Sequence, residues 1–128
     1  MKRLVFAFFV VISMGNTAFL HADDALLGTY NGGFLYTGGI TSSPTQVGVR
    51  LVLNSVENGL VKGTATLLGG GPCQGDYPMQ GKYEGNKLGM ISTAKGGRAG
   101  DCTFGFRAVK EGDKLTGTTG GYAMTLSK

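Results

Sequence analysis

Val47-Gly48-Val49-Arg50-Leu51-Val52-Leu53-Asn54, followed by Asn58-Gly59 and then Leu60-Val61-Lys62-Gly63-Thr64-Ala65-Thr66-Leu67, is the stretch on which the fold turns. In its first half Val47, Val49, Leu51 and Leu53 occupy alternate positions, with Arg50 and Asn54 opposite. In its second half Val61, Gly63, Ala65 and Leu67 alternate with Lys62, Thr64 and Thr66. A period of two sends side chains to opposite faces of an extended strand, so each half has one apolar and one polar face. Asn-Gly between them tolerates the positive φ angles that a tight hairpin needs. The stretch therefore predicts two antiparallel strands that hide one face and wet the other.

The same pattern continues in both directions. Cys102, Phe104, Phe106 and Ala108 share a face, with Thr103 and Arg107 opposite. Met79, Gly81 and Tyr83 face away from Gln80, Lys82 and Glu84, and Tyr122, Met124 and Leu126 face away from Thr125 and Ser127. Eight strands are expected, at 26–36, 47–55, 59–68, 79–84, 87–93, 102–109, 113–119 and 122–127. Gly85-Asn86, Gly112-Asp113 and Gly120-Gly121 supply further short turns. Three connections are longer, 37–46, 69–78 and 94–101, and the first, with Gly38-Gly39, Ser42-Ser43 and Pro44, reads as an exposed surface loop.

Short meandering strands with tight turns point to an all-β fold, a small antiparallel up-and-down barrel of about eight strands, because closure removes exposed edges. A two-sheet β-sandwich is the alternative. An outer-membrane barrel would need strands of about 9–11 residues and an apolar outer band, whereas the outward positions here carry Lys, Arg, Glu, Gln and Thr. Glycines recur inside the strands, at a cost in stability that a tight bend offsets. A Leu/Val, Gly, Thr theme also recurs, in Leu27-Gly28-Thr29, Val61-Lys62-Gly63-Thr64 and Leu115-Thr116-Gly117-Thr118. Gly28-Thr29-Tyr30 and Gly81-Lys82-Tyr83 share Gly-x-Tyr.

The start of the chain differs in kind. Lys2-Arg3 precedes an uncharged apolar run, Leu4 to Ile12, and small residues lead to Ala22 before Asp23-Asp24. This is the layout of a cleavable signal peptide, expected over residues 1–22, with Ala18 as an alternative cut. The run is shorter than the roughly 20 residues of a membrane-spanning helix. A single glycine-rich domain, 23–128, would remain, exported to the periplasm or secreted. Lys2 and Arg3 would leave with the leader, so the net charge of +4 overstates the basic character of the domain. No Lys/Arg cluster supports nucleic-acid binding.

His21, the only histidine, would leave as well. Without it the domain has no Ser-His-Asp triad, no Cys-His dyad and no His-ligated metal. The two cysteines, Cys73 and Cys102, read as a structural disulfide in an exported protein, and their spacing is not that of a redox Cys-x-x-Cys pair. The serines do not stand in Gly-x-Ser-x-Gly.

Gly28-Thr29-Tyr30 resembles the first strand of the lipocalin and avidin-like barrels, which carry Gly-x-Trp there, and Leu115-Thr116-Gly117-Thr118 looks like an avidin-type strand start. The resemblance implies architecture, a small calycin-type up-and-down barrel. The chain has no Trp, so the tryptophans of an avidin site have no counterpart and no ligand or binding residue carries over.

The inward set is expected to include Tyr30, Phe34, Tyr83, Phe104, Phe106, Tyr122 and Met124, none of them charged. If these rings enclose a cavity, Tyr30, Tyr83, Phe104, Phe106 and Tyr122 are its candidate ligand-binding residues, and the ligand is small and neutral or apolar. If they pack as a solid core, the loops become the working surface and the domain is an extracytoplasmic interaction or inhibitor module. A third reading is a carboxylate-dependent hydrolase using Asp76 and Asp101, which flank the two cysteines. Lys95-Gly96-Gly97-Arg98 is a possible anion cradle, although no phosphate-loop motif is present. The expectation is a non-enzymatic binding protein with no catalytic residue, metal or cofactor.

Overall fold

The structure is a computed structural model that describes residues 25–37, 45–69 and 71–128. The expected leader, and the middle of the expected 37–46 loop, lie outside the described residues. Eight strands follow one another, β1 (Gly28–Tyr36), β2 (Thr45–Glu57), β3 (Leu60–Leu68), β4 (Gly75–Glu84), β5 (Lys87–Ser92), β6 (Gly105–Glu111), β7 (Lys114–Thr119) and β8 (Tyr122–Ser127). They form a closed barrel in sequence order. Each strand pairs antiparallel with the next, and β1 meets β8 through Asn31–Phe34 opposite Met124–Ser127 to close the ring. The barrel, not the sandwich, is the fold, and no sheet edge is left open.

The period-two faces are the faces observed. Val47, Val49, Leu51 and Leu53 of β2 are buried, as are Val61, Ala65 and Leu67 of β3 and Phe106 and Ala108 of β6. Arg50, Lys62, Lys82 and Arg107 stand exposed on the outer wall. The Asn58-Gly59 turn has φ of 52° and 82°, and Asn58 is the one non-glycine residue at positive φ among the described residues.

Antiparallel succession fixes which connections share an end. Asn58-Gly59, Gly85-Asn86 and Gly112-Asp113 close one end, called the base. The other end, the mouth, gathers the two long connections that follow β3 and β5, Gly120-Gly121, and the facing ends of β1 and β2.

Each end is stopped by a tyrosine. At the base, Tyr30 is fully buried and its hydroxyl donates to the Leu26 carbonyl at 2.7 Å. At the mouth, Tyr77 is fully buried and its hydroxyl donates to the Cys73 carbonyl at 2.5 Å. Each bond reaches back four residues, and each tyrosine follows a glycine two positions earlier that enters the strand at positive φ (Gly28 133°, Gly75 148°). The repeated unit that plugs the barrel is therefore Gly28-Thr29-Tyr30 with Gly75-Asp76-Tyr77. In Gly81-Lys82-Tyr83 the glycine is not at positive φ and the tyrosine is only half-buried.

Two strand starts differ from the sequence reading by three residues or more, and the other boundaries by two at most. β4 begins at Gly75, not at 79, so much of the expected 69–78 connection is strand. Pro78 lies within β4, where it offers its carbonyl to the Thr93 N–H at 2.8 Å. β6 begins at Gly105, not at 102; Cys102 pairs instead with Gly96 in an isolated bridge.

Burial pushes the Tyr30 hydroxyl up to about 12 from its ordinary 10.0, with the negative charges of Asp113 and then Tyr83 adding to the effect. A phenol that holds its proton more tightly folded than unfolded stabilises the fold below pH 10, and that contribution is lost as the pH climbs toward 12. Urea unfolding across this range is expected to show a shallower alkaline loss of stability for Tyr30→Phe than for the parent. At neutral pH the variant should be weaker by about 1–3 kcal/mol, because the Leu26 carbonyl loses its buried donor. Identical alkaline slopes would remove Tyr30 as the source.

Candidate functional site

The mouth holds an apolar concavity of about 360 Å³. Phe34 and Tyr36 reach it from the end of β1, Val47 from β2, Leu67 from β3, and Tyr122 from the start of β8. Pro72-Cys73 and Thr103-Phe104 form its far wall. The aromatic side is preassembled. Phe34 and Tyr122 stack at 6.3 Å between centroids, and Tyr36 tilts onto Tyr122 at 5.4 Å. Phe104 lies 6.4 Å from the Tyr77 ring and 5.9 Å from Phe106, which ties the wall to the core.

The wall is rigid because its backbone is pinned. Cys73 and Cys102 are joined by a disulfide, with Cα atoms 5.6 Å apart. The Gly96 and Cys102 backbones exchange hydrogen bonds at 2.8 and 3.0 Å, and the Arg98 N–H donates to the Pro72 carbonyl at 2.7 Å. The Ser92 N–H donates to the Phe104 carbonyl at 2.8 Å, and the Phe104 N–H donates to Ser92 Oγ at 3.1 Å. Gly96 lies against the Tyr77 ring so closely that a Cβ there would meet it at 2.9 Å. Thr119, buried among apolar neighbours, satisfies its hydroxyl on the Gly105 carbonyl at 2.7 Å.

The five candidate rings are divided by the fold. Phe104 and Tyr122 line the mouth pocket. Phe106 is buried below Phe104. Tyr30 and Tyr83 stand at the base, where Tyr30 is the plug and Tyr83 packs half-buried against the core. Tyr36, Val47 and Leu67 complete the pocket and were not singled out from the sequence. Tyr36 was within reach, since it continues the inward register of Tyr30 and Phe34.

The other constellations take ordinary places. Asp76 points outward and accepts from the Thr66 hydroxyl at 2.6 Å. Asp101 is exposed beside Cys102, near enough that its charge, after burial, raises the Tyr77 hydroxyl above its ordinary value. In Lys95-Gly96-Gly97-Arg98 the Gly96 and Arg98 N–H groups are spent on Cys102 and Pro72, so they are not free to cradle an anion. Among the described residues no three His, Cys, Asp or Glu side chains come together as a metal site.

No family model, curated protein or solved structure matches the chain. The eight-stranded antiparallel barrel in up-and-down order is consistent with the calycin-type architecture expected from the sequence.

Proposed function

We propose that the chain is a non-enzymatic binding barrel that takes a small, neutral, largely apolar ligand at its mouth. The observation that carries this reading is the preassembled aromatic concavity of Phe34, Tyr36, Phe104 and Tyr122. Both ends of the interior below it are stopped by fully buried tyrosines. The disulfide supports an exported protein, and among the described residues no helix is long and apolar enough to cross a membrane. The lack of histidine in 23–128 and the engaged carboxylate of Asp76 support a binding role over catalysis.

A calorimetric screen of neutral aromatic and aliphatic compounds tests the proposal. Hits are expected to weaken about tenfold or more in Tyr122→Ala and to be unaffected by Tyr83→Ala at the base. Equal effects of the two variants, or no hits, would overturn it.

A second reading has its own support. Leu35, Tyr36 and Leu68 are large apolar residues exposed at the mouth end, and such a rim suits a protein partner that inserts an apolar anchor. Leu35 and Leu68 do not line the pocket. Leu35→Ser with Leu68→Ser should abolish capture of a protein partner while leaving small-molecule binding intact.

A further inference from the structure

The outer wall over β3 to β6 differs from the rest of the barrel. Across it, one row of paired residues reads Leu60, Lys82, Gly89, Arg107, and the next reads Lys62, Gln80, Ile91, Gly105. Gly89 faces outward, and a Cβ built on it would meet nothing within 4 Å. With strands about 4.8 Å apart, Lys82 and Arg107 straddle this bare position roughly 10 Å from each other. The result is an open groove of about 630 Å³. Lys62 and Lys87 flank it, Glu84 stands directly opposite Lys87, and the other outward carboxylates of these strands lie toward the ends, Asp76 at the start of β4 and Glu111 at the end of β6. Among the described residues, the Lys82 and Arg107 side chains have no ion-pair or hydrogen-bond partner. Between these cations Ile91 is 63% exposed, the most exposed large apolar residue described, and Leu60 is 38% exposed.

We infer that this wall docks peripherally on an anionic phospholipid surface, with a headgroup phosphate in the notch over Gly89 and Ile91 entering the interface. The combination selects the occupant. Clustered cations attract a negative surface, and exposed aliphatics among them gain only where an apolar phase lies beneath the charge. A soluble polyanion leaves Ile91 in water. Single-stranded nucleic acid needs exposed rings to stack its bases, and the lining has none, since Phe106 points into the core. A peptide strand needs a free sheet edge, and the barrel is closed.

The inference is independent of the mouth, and the experiment separates the two. The oxidised protein is sedimented with vesicles of phosphatidylcholine alone and of phosphatidylcholine with phosphatidylglycerol in equal parts. Binding is expected only to the mixed vesicles, released by added salt, and weakened about 10- to 30-fold in Lys82→Gln/Arg107→Gln. Gly89→Glu, which fills the notch with a carboxylate on a backbone that accepts it, should lose binding, as should Ile91→Ser. Tyr122→Ala should bind like the parent. Three results would overturn the inference: no preference for the anionic vesicles, equal binding by the wall variants, or full displacement by soluble glycerol phosphate, which would mark a simple anion site. Loss on Leu35→Ser/Leu68→Ser in place of the wall variants would also overturn it, by moving the contact to the mouth.

Discussion

Adding a single methyl group at Gly117 is expected to cost about 3 kcal/mol of stability, as much as truncating a large core side chain. An ideal Cβ at Gly117 falls 1.8 Å from the Arg107 carbonyl oxygen and 2.6 Å from the Ala108 Cα. Both are backbone atoms of the neighbouring strand, so no flexible side chain can swing away. The other inward strand glycines stand in the same relation to a neighbour. Gly32 would meet the Thr125 oxygen at 1.9 Å, Gly63 the Val52 oxygen at 2.1 Å, and Gly81 the Gly89 oxygen at 1.9 Å. These contacts fall on the seams β8/β1, β2/β3, β4/β5 and β6/β7, every second seam around the ring. There the glycine Cα hydrogen points at a carbonyl across the seam, which lets the sheet turn a corner too sharp for a side chain. Gly89→Ala is the control, because its Cβ meets open space, and replacing an unstrained strand glycine should stabilise by about 0.5–1 kcal/mol. Urea midpoints should fall for Gly32→Ala, Gly63→Ala, Gly81→Ala and Gly117→Ala and hold or rise for Gly89→Ala. If Gly117→Ala were no worse than Gly89→Ala, the corner account would be wrong.

That contrast also shows what is legible in the chain before folding is known. Alternation separates inward Gly117 from outward Gly89, because it depends only on the period of two. It also places Phe104 and Tyr122 in the apolar face. It cannot say at which height of the barrel a ring comes to lie, and so it grouped Tyr30 and Tyr83 with residues at the opposite end. Height depends on register and on which connections share an end, and these emerge only when the ring closes. Tyr77 falls inside the expected 69–78 connection, although Gly75-Asp76-Tyr77 repeats the Gly-x-Tyr of Gly28-Thr29-Tyr30. The segment 94–101 reads as a loose glycine-rich loop because its glycines invite that reading. In the fold they serve close approach, with Gly97 set against the Pro72 carbonyl and Gly96 against the Tyr77 ring. Contacts of this kind have no local signature. The outer-wall groove was likewise invisible, since cross-strand neighbours such as Lys82, Gly89 and Arg107 are scattered along the sequence.

Removing the disulfide, by Cys73→Ala/Cys102→Ala, is expected to lower stability by roughly 3–4 kcal/mol, the chain-entropy value for cysteines 29 residues apart. The loop it closes contains all of β4 and β5, so the unfolded chain regains a large share of its freedom when the bond is absent. For a domain whose total stability is about 5–15 kcal/mol this is a severe loss. The second effect is local. At the base, tight hairpins hold the strand ends without help from the disulfide. At the mouth, by contrast, Pro72-Cys73 and Thr103-Phe104 are parts of two different connections, joined by the sulfur bridge and by the bond from the Arg98 N–H to the Pro72 carbonyl. Without the bridge that hydrogen bond, worth about 1 kcal/mol, is the remaining direct bond between the two connections. Limited trypsin digestion under native conditions should therefore cut the variant first at Lys95 or Arg98, while the oxidised parent resists there. Ligand binding at the mouth should weaken before the barrel unfolds. An unchanged urea midpoint would refute the entropic argument. Unchanged protection at Lys95 and Arg98 would show instead that the loop is held by its backbone and by packing on Tyr77, with the disulfide adding nothing to the shape of the mouth.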